Sequence, residues 1–391
     1  MSSTPVFITG LGAVSAAGTG CAATLESFRN GNGNPCTAAR EETPIAKPVF
    51  TVGDPAAIAN AEEMRTLRLA TLAVDEALSD ARFRKRPSDI RVGVCLGTTV
   101  ACQLNDIDFY RELRASGQAS AVVFDRYLRG NLSAAVAERY GFCGPTLTIT
   151  NACSSGTDAI GMALAWLRAG LCEAAIAGGA DELSRIPMAG FNALGIMSAT
   201  ACAPFDRDRQ GLNLGEGAGI LLLETDAGVA RRDAPAVLTC EGYGTFGDAH
   251  HLTAPREDGS GLEAAIRGAL TTAGCAPDDI GFINAHGTAT ATNDAIEGTV
   301  LARVFGTDCV LSATKGYTGH TLGAAGGLEA VFTALGLREG WIPASAGYKN
   351  RDTSIPVAPV TRMTNVTGRY ALSTSLAFGG NNSALVLGRQ P

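Results

Sequence analysis

The feature that most constrains the fold of this chain is a regular alternation of short β-rich runs with helical stretches. In the first half, four apolar runs bounded by glycine predict buried strands: RVGVCLGTT, TLTITNAC, EAAIAGGA and GAGILLLE. Helical spacing of apolar residues predicts helices over residues 62–79 and 158–168 between them. This alternation is typical of an α/β protein whose helices pack on a sheet.

A second series follows the charged turn ARRDAP. The strands AVLTCEGYGT, IGFINAHGT, CVLSATKG and ALSTSLAFGG alternate with helices near residues 261–273, 295–304 and 322–337. The two series could be duplicated halves, residues 1–235 and 236–391, although their sequence identity is too weak to show it. Nothing near Ala236 resembles a flexible linker, so we predict a packing seam there.

Composition narrows the classes of function. The 391 residues are 46% hydrophobic, which is enough for a large buried core, and the net charge of −7 disfavours general nucleic-acid binding. No secretory signal is recognisable, and no apolar run reaches the roughly 18 residues that a membrane span needs. The eleven cysteines contain no C-x-x-C pair, which indicates reduced thiols in a cytoplasmic protein rather than a zinc site or a disulfide framework.

The opening run PVFITGLGAVSAAG predicts a strand followed by a glycine-rich turn. It resembles the start of a dinucleotide site, but the third glycine of the G-x-G-x-x-G pattern would fall on Ser15. No acidic residue ends a second strand about 20 residues later, as that motif requires. These two failures argue against a dehydrogenase.

Cys153 lies where a predicted strand ends and a predicted helix begins, in the stretch TITNACSSG. Apolar Ile160, Ala163, Leu164 and Leu167 follow helical spacing, which places Cys153 at or just before the first helical turn. Unpaired N–H groups and the helix dipole favour a thiolate there, so we predict a lowered thiol pKa and a nucleophilic role. The usual alternative is a small structural thiol packed at the end of a strand.

Two of the four histidines lie in small-residue motifs that follow predicted strands. His286 belongs to NAHGTAT and His320 to TKGYTGHTLGAAGG, where small neighbours permit the close approach of a ligand. The two are far apart in sequence but could converge at one edge of a layered sheet, and we interpret both as catalytic. The other pair, in GDAHHLTAP, is predicted to lie in a loop near the site entrance.

Three further residues stand out beside these motifs. Lys315 lies between a buried-looking strand and a glycine. Glu329 interrupts the apolar run GGLEAVFTALGL, as either an exposed helix position or a buried carboxylate paired with Lys315 or a histidine. Phe378 precedes Gly379-Gly380, a mobile pair that could aim a backbone N–H and swing the aromatic ring.

Taken together, these motifs resemble those of the elongating β-ketoacyl-acyl-carrier-protein synthases, in the same order and over essentially the whole chain. They are NACSSG, CAPFDRDRQGLNLGEGAG, NAHGTAT, TKGYTGHTLGAAGG and LAFGGNNSALVLG. The resemblance implies a thiolase-like α/β fold, with two duplicated halves in α-β-α-β-α layers. It also implies a homodimer, and a heterodimer with a related subunit is the alternative.

The resemblance implies the chemistry as well. Cys153 would accept an acyl group from a carrier-protein thioester, with an oxyanion hole formed by the N–H groups of Cys153 and Phe378. His286 and His320 would stabilise the enolate formed when a malonyl thioester loses carbon dioxide, supported by Lys315 and Glu329. Substrates would arrive on the phosphopantetheine of a separate acyl carrier protein, and neither a metal nor a redox cofactor is expected.

Motif matching assigns further residues to substrate and partner binding. The expected acyl-pocket and substrate contacts are Val100, Phe191, Thr288, Thr290 and Gly379. The expected contacts to an acidic carrier protein are Arg65, Arg68, Arg207 and Arg209. Solvated loop arginines are an equally weighted alternative for the latter group, and Glu216 is interpreted as structural.

The chain departs from the family pattern where an acyl chain or a gating loop would lie. The segment before Phe205-Asp206 is shorter than usual, Leu376-Ala377 replaces a common aromatic-glycine pair, and Asn381 stands where threonine is usual. These changes leave the chemistry intact and put the substrate in doubt. The sequence therefore predicts a synthase of type II fatty-acid biosynthesis, with a dedicated polyene or polyketide pathway as the alternative.

Most other functions considered for this chain would require residues that it lacks, or would lack residues that it has. A non-condensing chain-length subunit would lack the nucleophilic cysteine, and a degradative thiolase would carry a second cysteine near the C-terminal glycines. A starter-type condensing enzyme would have asparagine in place of His320. A cysteine hydrolase remains as an outsider, and it would release free acid from an acyl thioester without condensation.

Overall fold

Strands and helices alternate along the chain as the sequence predicts. The computed structural model describes residues 4–31, 33, 45–53, 64–83, 90–99, 107–120, 131–232 and 237–390. The strands are β1 (Val6–Ser15), β2 (Gly18–Thr19), β3 (Val92–Gly97), β4 (Thr146–Ile149), β5 (Ala174–Asp181), β6 (Gly217–Thr225), β7 (Leu238–Gly247), β8 (Ile280–Asn284), β9 (Leu311–Ser312), β10 (Trp341–Ile342), β11 (Thr364–Asn365), β12 (Tyr370–Ala377) and β13 (Asn381–Arg389).

The helices predicted near residues 62–79, 158–168, 261–273, 295–304 and 322–337 are present, and the described residues form further helices that were not predicted. They are α1 (Cys21–Asn30), α2 (Arg65–Asp80), α3 (Ile107–Ser116), α4 (Leu132–Tyr140), α5 (Ser155–Arg168), α6 (Arg185–Ala193), α7 (Asp226–Arg232), α8 (Ser260–Ala273), α9 (Ala291–Phe305), α10 (Lys315–Thr318) and α11 (Ala325–Glu339). Short 3₁₀ turns, Ala152–Ser154 and Leu322–Ala324, lead directly into α5 and α11.

The two halves of the chain repeat one strand order. The first half runs β4-β3-β5-β6-β1 and the second half runs β9-β8-β12-β13-β7. In both halves the first three strands of that order are parallel and the last two pairings are antiparallel. The same topology twice is what a duplication produces. A short β1–β7 pairing joins the halves into one continuous sheet.

Helices cover both faces of each half. Helix α2 packs on β1 and β6 on the outside of the first half, and α8 packs on β7 and β13 on the outside of the second. Helices α5 and α11 contact each other and lie between the two halves, where they touch strands of both. The predicted α-β-α-β-α layers are thereby confirmed. The boundary at residues 235 and 236 falls outside the described residues and stays a prediction.

The glycines of the opening run lie inside β1, so the predicted glycine-rich turn at Gly10-Leu11-Gly12 is wrong. β1 continues through both glycines to Ser15. Helix α2 crosses the strand so closely that a Cβ on Gly10 would lie 2.0 Å from the carbonyl oxygen of Ala77, and one on Gly12 would lie 1.9 Å from that of Ala73. These glycines allow the helix backbone to approach the strand.

We expect Gly12→Ala to destabilise the fold, because its methyl group meets backbone atoms of α2 that cannot rotate away. Overpacking of this kind costs roughly 1–3 kcal/mol in the free energy of unfolding, measured by urea denaturation. Gly190→Ala in α6 is the matched control, because its Cβ would meet no atom within 4 Å. Equal stabilities of the two variants would contradict this account of the β1 glycines.

Candidate active site

The turn that carries Cys153 is held in an uncommon backbone conformation. Cys153 lies in the 3₁₀ turn between β4 and α5, and the residue before it, Ala152, has φ of 49°. The Ser155 hydroxyl accepts a hydrogen bond from the N–H of Asn151 at 2.7 Å and donates one to the carbonyl oxygen of Ala152 at 2.6 Å. These bonds hold Ala152 in the left-handed conformation, which residues other than glycine rarely adopt. The thiol is thereby presented at the helix start.

Burial raises the pKa of the Cys153 thiol to about 11, which overturns the prediction of a lowered pKa. The Lys315 ammonium and the backbone N–H of Phe378, which bonds to the sulfur, both lower the pKa without cancelling the loss of solvent. The helix position alone was expected to decide the matter, but the side chain is only 4% exposed. The thiol is therefore protonated in the resting site.

One cavity of about 500 Å³ brings the predicted catalytic residues together. Cys153, His286 and His320 all line it, although they come from three distant segments. The residues predicted to contact substrate or the carrier protein that also line it are Phe191, Thr288, Thr290 and Arg209, and Phe378, the predicted oxyanion donor, lines it too. The thiol is consequently accessible to a ligand despite its burial.

The hydrogen bonds of His320 determine which ring nitrogen carries its proton. Its Nδ1 accepts a hydrogen bond from the backbone N–H of Leu322 at 3.2 Å, so the proton of the neutral ring lies on Nε2. Leu322 has φ of 55° in the 3₁₀ turn that precedes α11, and the next N–H, that of Gly323, donates to Asp181 at 2.7 Å. The chain turn that follows His320 therefore orients its ring.

His286 has the same tautomer for a different reason. The Lys315 ammonium lies 3.0 Å from its Nδ1 and can only donate, so Nδ1 accepts and Nε2 carries the proton. The two imidazole rings are perpendicular, with centroids 5.2 Å apart. Burial and the Lys315 charge hold the pKa of both histidines well below the ordinary value of 6.5, so both are neutral N–H donors.

Glu329 is the buried carboxylate of the two alternatives that its sequence position left open. It is paired with Lys315 inside the protein, and Lys315 also donates to the carbonyl oxygen of His286. Burial raises the pKa of Glu329 to about 7, against the opposing effect of the lysine. Its second oxygen lies 3.9 Å from Nδ1 of His286. The pair lies behind the histidines and does not line the cavity.

Sequence reasoning missed the carboxylate that holds the His286 loop. Glu297, on α9, accepts hydrogen bonds from the backbone N–H groups of His286 and Gly287, both at 2.8 Å, and from the hydroxyl of Thr374 at 2.7 Å. It is fully buried. Its position eleven residues after His286 gave no helical or strand signal that pointed to the loop, because the chain reverses between them.

The Phe378 turn closes the cavity beside the thiol. The Phe378 ring stacks on Phe191 of α6, with centroids 5.3 Å apart and planes at 13°. Gly379 and Gly380 have φ of 87° and 78°, which only glycine adopts easily. Gly379 is exposed and does not line the cavity, although a substrate contact was predicted for it. Its N–H instead donates to the carbonyl oxygen of Leu252 at 2.8 Å.

Two of the predicted carrier-protein contacts are occupied by internal ion pairs. Arg65 binds the buried carboxylate of Glu216 through two nitrogens, at 2.6 and 2.8 Å. Arg209 has a side chain only 7% exposed and binds Asp352 at 2.7 Å. Both guanidinium groups are held by carboxylates of this chain, which argues against the predicted contact of these two arginines with a carrier protein. Glu216 is structural, as interpreted.

The remaining predicted contacts differ in exposure. Arg207 is exposed and pairs with its neighbour Asp208, while Arg68 is half-buried on α2. Val100 lies outside the described residues. In the described part of the chain, no three His, Cys, Asp or Glu side chains are grouped closely enough to hold a metal ion. No helix there combines the length and apolarity that a bilayer crossing requires.

Comparisons with known proteins place these residues in a family. The N-terminal domain of the β-ketoacyl synthases matches residues 56–227, and their C-terminal domain matches residues 237–349. A Staphylococcus aureus 3-oxoacyl-[acyl-carrier-protein] synthase 2 is 32% identical, with 97% of both chains aligned. The chain belongs to the β-ketoacyl synthase family. The predicted family is thereby confirmed, and the protein is an acyltransferase with the thiolase-like fold.

Other relatives of this β-ketoacyl synthase come from different settings. A mitochondrial 3-oxoacyl-[acyl-carrier-protein] synthase of Arabidopsis thaliana is 34% identical over 81% of this chain and 73% of its own. Among solved structures, the ishigamide ketosynthase/chain length factor superposes with a TM-score of 0.90 at 31% identity, covering 100% of both chains. The ketosynthase ApeO in complex with its chain length factor ApeC, from Xenorhabdus doucetiae, gives 0.85 at 30% identity over 99% and 98%.

We expect the alkylation rate of Cys153 by iodoacetamide to rise about tenfold per pH unit between pH 7 and 10, because its raised pKa leaves about one thiol in a thousand ionised near pH 8. Quantifying the alkylated peptide by mass spectrometry measures the rate. Lys315→Met removes the charge that lowers the pKa and should slow alkylation. Glu329→Gln removes a charge that raises it and should accelerate alkylation. A rate that levels off below pH 8 would contradict the raised pKa.

Proposed function

We propose that the enzyme condenses an acyl group held on Cys153 with a malonyl group held on an acyl carrier protein, with loss of carbon dioxide. The observation that carries this proposal is the shared cavity, in which one thiol faces two neutral imidazoles with protonated Nε2 atoms. A hydrolase needs a base to activate water, whereas both histidines here are held in the donor form. Condensation needs donors and no base.

Acyl transfer comes first in this mechanism. The Cys153 sulfur attacks the thioester carbonyl, its proton passes to the departing carrier thiolate, and a new thioester forms. Negative charge develops on the carbonyl oxygen, and we propose that the N–H groups of Cys153 and Phe378 stabilise it. The Phe378 N–H already faces the sulfur. Each donor of this kind contributes roughly 3 kcal/mol in the transition state.

Decarboxylation follows in the same cavity. Loss of carbon dioxide from a malonyl thioester leaves an enolate whose charge resides on the thioester oxygen. Two neutral Nε2–H donors, on His286 and His320, stabilise that oxygen. The enolate carbon then attacks acyl-Cys153 and releases the Cys153 thiolate, which takes a proton from solvent to restore the resting thiol. The release of carbon dioxide drives bond formation, so we propose that neither a metal nor a redox cofactor takes part.

We propose that the partner is a separate acyl carrier protein, whose phosphopantetheine arm enters the cavity past Thr288 and Thr290. The hydroxyls of these threonines are 2.8 Å apart in the cavity wall and offer polar groups to such an arm. A type II polyketide carrier protein in complex with its ketosynthase is among the similar structures, at 26% identity and a TM-score of 0.90. The exposed Arg207 is the strongest of the predicted arginines for contact with the carrier.

The edge strand β4 supports a two-chain assembly. It ends the sheet order, and within the described residues nothing pairs with its outer edge. Leu147 on this strand and Met162 on α5 are each 38% exposed. An unpaired edge with apolar neighbours favours pairing with another chain. We propose a second copy of this chain as the partner, with a related subunit as the alternative that the ketosynthase and chain length factor neighbours bring forward.

We propose fatty-acid elongation as the pathway of this enzyme, with a specialised acyl-chain pathway as the alternative. Curated relatives named 3-oxoacyl-[acyl-carrier-protein] synthase favour elongation of fatty acids. The Leu376-Ala377 pair, which lines the cavity in place of an aromatic-glycine pair, favours a specialised acyl chain, because it reshapes the wall beside Phe378.

The two catalytic steps separate in variants. We expect Cys153→Ala to abolish acyl loading and to retain measurable carbon dioxide release from malonyl carrier protein, because the histidines remain. Replacing both His286 and His320 with Ala should abolish carbon dioxide release, since both enolate donors are lost. Trapped carbon dioxide and intact-protein mass measure the two reactions. Undiminished carbon dioxide release from the double variant would refute the roles of the histidines.

A panel of acyl-carrier thioesters distinguishes the pathways. The enzyme is offered saturated chains of increasing length and matched polyunsaturated chains, and mass spectrometry identifies which chain loads on Cys153. Preference for saturated chains supports fatty-acid elongation, whereas preference for conjugated chains supports a polyene pathway. Steady release of free acid without loading would instead indicate a hydrolase and contradict condensation.

A further inference from the structure

Two consecutive residues of α5 bind two serines that face each other on the β12–β13 hairpin. The hydroxyls of Thr157 and Ser375 lie 2.8 Å apart, and the carboxylate of Asp158 accepts a hydrogen bond from Ser383. Ser375 and Ser383 are directly opposite in the β12–β13 ladder. All four side chains are buried. The helix is therefore bonded to both strands of the hairpin at one level.

Asp158 extends this linkage to the nucleophile turn. Its Oδ2 accepts from the amide of Asn151 at 2.6 Å and from the hydroxyl of Ser154 at 2.8 Å, so its donors flank Cys153. Its Oδ1 also accepts from the hydroxyl of Tyr243 on β7 at 2.9 Å. A buried carboxylate with this many donors is held rigidly. Asp158 thereby connects the turn that carries the thiol with the second half of the chain.

This linkage spans the two sides of the oxyanion hole. One N–H belongs to Cys153, about one helical turn before Thr157, and the other belongs to Phe378, three residues after Ser375. The two donors come from different halves and no local chain connection sets their separation. Donors of this kind act only when they lie about 2.7–3.1 Å from the developing oxyanion.

We propose that Thr157, Asp158, Ser375 and Ser383 form a brace that sets the distance between the two oxyanion donors. They are positioning residues, since none of them lines the cavity. The brace governs acyl transfer to and from Cys153, and malonyl decarboxylation, which depends on His286 and His320, is independent of it. This inference rests on the proposed function.

The test compares serines of equal size on neighbouring strand positions. Ser375→Ala and Ser383→Ala each remove one bond of the brace, whereas Ser373→Ala removes a buried hydroxyl on the same strand that has no hydrogen-bond partner in the described part of the protein. The rate of acyl loading is measured by rapid chemical quench, with intact-protein mass spectrometry of the quenched samples. Carbon dioxide release is measured with each substitution in a Cys153→Ala background, so that loading does not interfere.

We expect each brace variant to load acyl groups about tenfold more slowly at saturating substrate, with an unchanged KM, because a displaced donor loses part of its effect. Carbon dioxide release should stay within about twofold of the parent. Ser373→Ala should match the wild type in acyl loading and the Cys153→Ala parent in carbon dioxide release. Thr157→Val, which keeps the side-chain shape without the hydroxyl, should repeat the loss, and Thr157→Ser, which keeps the hydroxyl, should load at close to the wild-type rate.

Two results would overturn the brace. One is loading by Ser375→Ala and Ser383→Ala at the rate of Ser373→Ala. The other is an equal loss of loading and carbon dioxide release, which indicates a general structural effect. Failure of the wild-type enzyme to load any acyl group would instead refute the proposed function, and the brace with it.

Discussion

The close approach of two helix starts between the two halves of the chain is the constraint on which the rest of the site depends. Helices α5 and α11 meet at glycines, where a Cβ on Gly156 would lie 2.6 Å from the backbone nitrogen of Gly327. A Cβ on Gly326 would lie 2.1 Å from the hydroxyl of Thr157. Side chains at these positions would separate the helices. Because these positions are glycines, the helices come close enough for the turn of Cys153 and the turn that orients His320 to reach the same cavity.

The two turns are equivalent positions of the repeated half. Each is a 3₁₀ turn that leads directly into a central helix, and each begins with a non-glycine residue at positive φ, Ala152 after β4 or Leu322 after α10. The first half uses its turn to present a thiol. The second half uses its turn to donate an N–H to Nδ1 of His320. One backbone geometry therefore serves two chemical purposes.

Two buried charged side chains behind the histidines, Lys315 and Glu329, form an ion pair with each other. A lone ammonium or carboxylate in this interior would be costly, and the Lys315–Glu329 pair compensates both charges with hydrogen bonds. The positive charge faces Nδ1 of His286, where it suppresses protonation of the ring and directs the remaining proton to Nε2. The same desolvation that keeps the histidines neutral keeps the thiol protonated, because both effects arise from exclusion of water.

Local patterns predicted most strands, five helices (α2, α5, α8, α9 and α11) and the thiol and imidazoles of the site, because β-branched runs, apolar periodicity and small-residue motifs are properties of short segments. The structure overturned the expectations that depended on neighbours distant in sequence. Gly10 and Gly12 allow a helix to pack closely on β1 and do not form a turn. Arg65 forms an ion pair with Glu216 inside the protein. No sequence pattern indicated that Glu297 binds the backbone of His286.

By itself, the sequence determined which side chains are available for chemistry and where along the chain each one stands. Only the tertiary structure decided the protonation states, the tautomers and the distance between groups from different halves. The physical reason is that a pKa depends on how much water is excluded and which charges lie nearby, and both are set by segments that meet only after folding. The two proton positions on the histidines are therefore a product of the fold.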